Sequence, residues 1–203
     1  MTRGRTEALV RCPWVGDDPD YQRYHDTEWG VPLKSERAIF EKLVLEGFQA
    51  GLSWITILRK RENFRRAFDR FDPERIARYG AKDIARLMAD EGIVRNRAKI
   101  EATIDNAKAY IKLRERTTLR KLLWSYLGED GPLQRGARTL AEIPAQNDVS
   151  KRISKALKAD GFRFVGPTTV YAFMQSTGMV NDHLVGCFRY ADCAKEQRAN
   201  ATS

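Results

Sequence analysis

The chain has two histidines, and each stands close to a cysteine, one pair toward each end. The pairs are Cys12-x12-His25 and His183-x3-Cys187. On a helix, the second spacing puts both side chains on one face, about 40° apart. Two cysteines and two histidines complete a soft tetrahedral set for zinc and leave no coordination position for water. Such an ion would tie the two chain ends together and do no chemistry. The competing account is a pair of hydrogen-bonded core histidines beside two free thiols, which the absence of any other histidine disfavours.

Glu46 is the second chemical candidate. With Ile39 at 0° and 100° per residue, Leu43 falls at about 40°, Phe40 at about 100° and Val44 at about 140°. Glu46 falls at about −20°, on the margin of that apolar stripe, while Glu41 and Lys42 are assigned to the opposite side. A carboxylate on an apolar face is costly unless it has a partner or a task. Its surroundings, Leu45-Glu46-Gly47-Phe48-Gln49-Ala50-Gly51, hold small residues that admit close approach to the backbone. Trp14, Tyr21, Tyr24, Trp29 and Trp54 crowd the same part of the sequence. A buried acid among flat rings suits a planar, electron-poor or cationic guest. The alternatives are a structural carboxylate that caps a loop, and tryptophans that only fill the core.

The third candidate is Glu91-Gly92-Ile93-Val94-Arg95-Asn96-Arg97-Ala98-Lys99-Ile100, which joins two helical patterns at Gly92. A hairpin of this kind can aim backbone N–H groups at a phosphate, with Arg95, Arg97 and Lys99 adding charge. Many helix pairs turn on a glycine, so the pattern is weak alone. A net charge of +9 points to a polyanionic partner. The densest basic stretch, Arg59 to Arg70, also reads as a solvated helix face.

The elements that must carry these residues are nearly all helical. Ser35 caps a helix running to about residue 50. Further helical patterns occupy about 52–68, 73–79, 81–90, 96–115, 118–127, 149–159 and 167–178, and a last short one starts near Asn181. Residues 12–32 read as turns and short helical pieces, and 128–148 as a long loop. Only Phe162–Val165 hints at extended backbone. Residues 1–9 and 194–203 are expected to be flexible. The composition is that of a soluble globular protein, and no apolar run approaches the roughly 18 residues of a membrane span. Three cysteines, with Cys193 left over, do not make a disulfide framework. The expectation is a cytoplasmic protein with reduced thiols.

Five blocks together carry a family resemblance. Tyr24-His25-Asp26-Thr27-Glu28-Trp29-Gly30, Leu45-Glu46-Gly47-Phe48-Gln49-Ala50-Gly51-Leu52-Ser53-Trp54 and Asn181-Asp182-His183 resemble signature blocks of the DNA-3-methyladenine glycosylase I family. Gly92-Ile93-Val94-Arg95-Asn96-Arg97 and Phe162-Arg163-Phe164-Val165-Gly166 do likewise, and the resemblance covers about residues 11–190. It implies an all-α, helix-hairpin-helix glycosylase fold. A helical domain (35–144, hairpin near 91–100) would face a zinc-stitched domain formed by both chain ends (10–34 and about 145–193). It implies structural zinc held by Cys12, His25, His183 and Cys187. It implies base recognition by Glu46 and Tyr24, stacking on Trp54, and Trp14, Tyr21 and Trp29 near the pocket. Gly92, Arg95, Arg97 and Lys99 are the DNA-binding candidates, and Glu46 is the catalytic one. The chain departs from the family pattern in a longer N-terminal extension and a different tail, neither touching the motifs. The expected activity is that of a monomeric, monofunctional enzyme that flips 3-methyladenine out of alkylated double-stranded DNA and hydrolyses its N-glycosidic bond. Two other classes compete. One is a catalytically silent nucleic-acid-binding module, against which Glu46, Tyr24 and Trp54 together argue. The other is a zinc hydrolase, which needs an open coordination position that four Cys/His ligands would fill.

Overall fold

A computed structural model describes residues 9–129 and 131–201. The architecture is built around one helix, α2 (Glu36–Gln49), whose Ile39, Phe40, Leu43, Val44, Leu45 and Phe48 are all buried. Ser35 caps it by accepting from the Ala38 amide. A helix that is apolar nearly all round belongs in the interior. Around it pack α3 (Trp54–Ala67), α6 (Arg97–Arg114), α7 (Leu119–Trp124) and α9 (Pro167–Ser176). Before it comes α1 (Pro19–Thr27), started by Asp18, which accepts from the Tyr21 amide, and by Pro19 in the first turn.

The hairpin expected near 91–100 lies between α5 (Ala81–Ala89) and α6, with α4 (Pro73–Ile76) packed on α6. Asn96 caps α6 through the Lys99 amide, and Asn63 of α3 donates to the Gly92 carbonyl to pin the turn. After α7, a loop carries a two-residue strand, β1 (Leu133–Gln134), before α8 (Asp148–Ala159). β1 pairs in parallel with β2 (Val180–Asn181), Leu133 opposite Val180 and Gln134 opposite Asn181.

Three expectations fail. Phe162–Val165 forms no strand, and extended pairing appears at β1 and β2 instead. The final helix starts at Tyr190, so His183 and Cys187 sit in consecutive turns rather than on one helix. The tail expected to be flexible continues as α10 (Tyr190–Ala201), anchored by buried Cys193 and Gln197. The Gln197 side-chain amide donates to the Gly30 carbonyl and the Val180 carbonyl, a polar anchor that apolar periodicity does not reveal. The expectations for residues 1–8 and 202–203 lie outside the described residues.

The two chain ends meet at Gly178. Its φ is +76°, and a Cβ there would lie 2.8 Å from the Pro32 nitrogen and 2.9 Å from the Gly30 carbonyl oxygen. Only glycine lets the turn after α9 approach the segment that follows α1 so closely.

Candidate functional site

Cys12, His25, His183 and Cys187 are all buried, and their ligand atoms lie within 4.8 Å of one another. The Cys187 sulfur is 3.4 Å from His25 Nε2 and 3.5 Å from His183 Nδ1, and the Cys12 sulfur is 3.7 Å from His183 Nδ1. A metal held tetrahedrally, with bonds of about 2.3 Å to sulfur and 2.0–2.1 Å to nitrogen, separates sulfur from nitrogen by about 3.5 Å. The cluster therefore has the dimensions of a closed metal site. The outer ring nitrogens fit the same reading. His25 Nδ1 is 2.8 Å from Asp26 Oδ1, which Arg11 holds in turn, and His183 Nε2 is 3.0 Å from the Trp29 carbonyl. Acceptors in those places fix the tautomers that turn the other nitrogens toward an ion. The hydrogen bond between the thiols pushes Cys187 far down and Cys12 up, because one sulfur carries the charge and burial resists a second.

This cluster buttresses a second site. Trp14 follows Cys12 in a single 3-10 turn and meets the His25 ring edge-on at 5.4 Å; Trp29 meets His183 at 4.6 Å. Trp14 and Trp29 line a cavity of about 250 Å³ together with Tyr21, Tyr24, Trp54 and Glu46. All six residues expected around a base thus face one space. α1 delivers Tyr21 and Tyr24 at i, i+3, with His25 alongside in the Cys/His cluster. α2 delivers Glu46, and α3 opens with Trp54. The volume falls below the ~300–1,000 Å³ of pockets for drug-sized ligands, and so suits one planar heterocycle.

Glu46 is 3% exposed. Ser176 Oγ donates to its Oε1 at 3.0 Å, and Lys42 Nζ stands 3.4 Å from the same oxygen. Burial raises its pKa, opposed by Lys42 and Ser176. Lys42 also donates to Tyr24 Oη at 2.8 Å and lies 3.6 Å from the Trp54 ring centroid. Its assignment to the far side of α2 is therefore wrong. At 100° per residue Lys42 falls at about −60°, only 40° from Glu46, as i, i+4 requires. The Trp54 indole N–H has no hydrogen-bond partner among the described residues.

The cavity has other walls that were not anticipated. Gln49, three residues after Glu46, was open to the same helical arithmetic. Ala172, Gln175 and Ser176 project from α9 at i, i+3, i+4, and the Gln175 amide is held by buried Asp182 at 2.9 Å. Leu140 and Ile143 close one side from the 128–148 loop, where no periodic signal exists.

At the hairpin, Arg95 and Arg97 are exposed, pairing with Glu91 and Glu101 on the surface. Lys99 is turned inward. Its ammonium donates to the Phe48 and Ala50 carbonyls, 2.8 and 2.6 Å away, capping the end of α2. It is therefore a support for the Glu46 helix rather than a surface charge.

The methyladenine glycosylase family model matches residues 14–190. The chain is 49% identical over 183 residues to the DNA-3-methyladenine glycosylase 1 of Escherichia coli (strain K12), covering 90% of this chain and 97% of that protein. It is 49% identical over 179 residues to the DNA-3-methyladenine glycosylase of Haemophilus influenzae, covering 88% and 96%. Among solved structures, a crystal structure of 3-methyladenine DNA glycosylase I superposes with a TM-score of 0.86 at 48% identity, covering 88% of this chain and 98% of that one. The Staphylococcus aureus 3-methyladenine DNA glycosylase I, solved to show 3-methyladenine recognition, superposes at 0.85 and 38% identity over 90% and 97%.

Proposed function

This chain belongs to the methyladenine glycosylase family, and from that premise we propose how its residues remove 3-methyladenine from DNA. The observation that carries the reading is a buried carboxylate, Glu46, facing an aromatic cavity of about 250 Å³. Methylation at N3 makes the adenine of the nucleotide cationic and already a good leaving group. The enzyme therefore needs little acid catalysis. Its work is to flip the nucleotide, hold the base, and favour a sugar with oxocarbenium character while water attacks. Glu46 accepts from the exocyclic amino group, and Tyr24 completes the hydrogen-bonding edge. Trp54 supplies a stacking face, while Trp14, Tyr21 and Trp29 shape the walls. A methylated guanine presents a carbonyl where the amino group should be, meets carboxylate lone pairs, and is rejected. The products are a free base and an abasic site, with no strand cleavage.

The Cys12–His25–His183–Cys187 set is read as a structural zinc site. Four soft ligands at tetrahedral spacing leave no position for water, so the ion holds the chain ends (10–34 and about 145–193) and with them Trp14, Tyr24 and Trp29. The α5–α6 turn is read as a helix-hairpin-helix element, with the Gly92 backbone, Arg95 and Arg97 against duplex phosphates. No helix among the described residues is long and apolar enough to cross a membrane, and a cytoplasmic monomer accords with the reading. The test is a duplex carrying one 3-methyladenine. The enzyme should release the base and leave a strand that breaks only after alkali. Tight binding without release would favour a silent binding module of the same fold.

A further inference from the structure

The reading above gives Lys42 no task, yet it is a buried ammonium in contact with three groups of the base site. It is 8% exposed. Its nitrogen lies 2.8 Å from Tyr24 Oη, 3.4 Å from Glu46 Oε1 and 3.6 Å from the Trp54 ring centroid. We propose that Lys42 is a positioning residue that sets the hydrogen-bond polarity of the pocket: it holds Glu46 ionised by Oε1 and turns the Tyr24 hydroxyl proton toward the base.

The argument is one of donors and acceptors. An ammonium has three donors and no acceptor. Tyr24 Oη therefore accepts from Lys42, and its own proton is free to donate elsewhere. Ser176 and Lys42 both occupy Oε1 of Glu46, and the described residues supply no hydrogen bond to Oε2. The pocket thus offers one acceptor, Oε2, beside one donor, the Tyr24 O–H. That pair complements an amino group next to a ring nitrogen, the pattern of an adenine edge, and opposes a guanine carbonyl. Without Lys42 the hydroxyl could donate to Glu46 instead, and both groups would be lost to the base.

Lys42 acts from behind the wall. It does not line the base cavity but a smaller one of about 170 Å³, which shares Tyr24, Trp54 and Ser176 with it. It therefore positions groups and does not touch substrate. An apolar side chain would fill the same space without the cost of burying a charge, so packing alone does not account for a lysine. The other charged groups facing this smaller cavity are engaged. Arg61 is bonded to Glu28 and Arg65 to Glu41, which leaves Glu46 as the counter-charge of Lys42. Burial brings the Lys42 pKa down to about 8 while Glu46 works against that, so the ammonium is retained at neutral pH.

The inference rests on the base-recognition reading of Glu46 and Tyr24, and the test separates the two. The Glu46 carboxyl carbon is titrated by NMR in the zinc-loaded wild type, Lys42→Met and Lys42→Arg, its resonance assigned by its loss in Glu46→Gln. Release of 3-methyladenine and 3-methylguanine from methylated DNA is measured in parallel. Lys42→Met should raise the Glu46 pKa by about one to three units. It should lower the 3-methyladenine to 3-methylguanine ratio by about five-fold or more. Lys42→Arg should bring the Glu46 titration back toward wild type. A Glu46 titration unmoved in Lys42→Met, or not restored in Lys42→Arg, would overturn the proposal. A wild type that releases neither base, with the Glu46 shift present, would sink the excision reading and leave the electrostatic role of Lys42 standing.

Discussion

Replacing Glu46 by Gln keeps the shape of the side chain and one acceptor oxygen while removing the charge. Glu46 is buried, and its Oε1 is already held by Ser176 and Lys42, so the substituted amide places either its NH₂ or its neutral oxygen where Oε2 stood. A hydrogen bond to a charged acceptor contributes roughly 1.5–3 kcal/mol, so affinity for free 3-methyladenine should fall about 10- to 150-fold. The fold should survive. Lys42 loses its counter-charge, but its pKa is about 8. Without Glu46 that value falls further, so Lys42 can shed its proton near neutral pH rather than stand as an unpaired buried charge. The remaining NH₂ can donate to a guanine carbonyl, so discrimination against methylated guanines should relax. Tryptophan-fluorescence titration with 3-methyladenine and with 3-methylguanine reads affinity and discrimination, and thermal melting reads the fold. Wild-type affinity in Glu46→Gln would mean that the carboxylate only braces α9 through Ser176, and that the base sits elsewhere.

Four further outcomes follow from the same geometry. Cys187→Ser should lose the metal, lower the melting temperature and weaken base binding through Trp14 and Trp29; full metal content with unchanged melting would refute the ligand set. Arg95→Ala or Arg97→Ala should reduce the salt dependence of duplex binding by about one unit of slope if either touches phosphate. Lys99→Ala should leave that slope unchanged and cost about 1–3 kcal/mol of stability, since the Phe48 and Ala50 carbonyls lose their donor; a flattened slope there would return Lys99 to the DNA surface. Gly178→Ala should destabilise by about 2–4 kcal/mol, from a left-handed backbone and a Cβ driven into the 30–32 segment, as checked by denaturant unfolding.

Much of this site was legible because its residues lie at helical spacings on strongly patterned helices. The apolar stripe of α2 placed Glu46, and Ser35 marked the start of that helix. The Cys12, His25, His183 and Cys187 cluster was legible from residue type alone, though not from its local structure. His183 and Cys187 converge through turns, which apolar periodicity cannot distinguish from a short helix. What escaped was of two kinds. Ala172, Gln175 and Ser176 are neighbours on α9, but nothing local says which face meets α2. The inward turn of Lys99 and the anchoring of α10 by Gln197 depend on backbone carbonyls distant in sequence. Lys42 belongs to neither kind, since its 40° offset from Glu46 follows from α2 alone. A charge read as solvent-facing by habit proved to be buried.

The most direct measurement of the central claim is the spectrum of bases released from methylated duplex DNA, resolved by chromatography for the wild type and Glu46→Gln. The account predicts that the wild type liberates 3-methyladenine in strong preference to methylated guanines. Glu46→Gln should release it more slowly and with that preference reduced. Equal release of methylated adenines and guanines by the wild type, or an unchanged spectrum in Glu46→Gln, would contradict it.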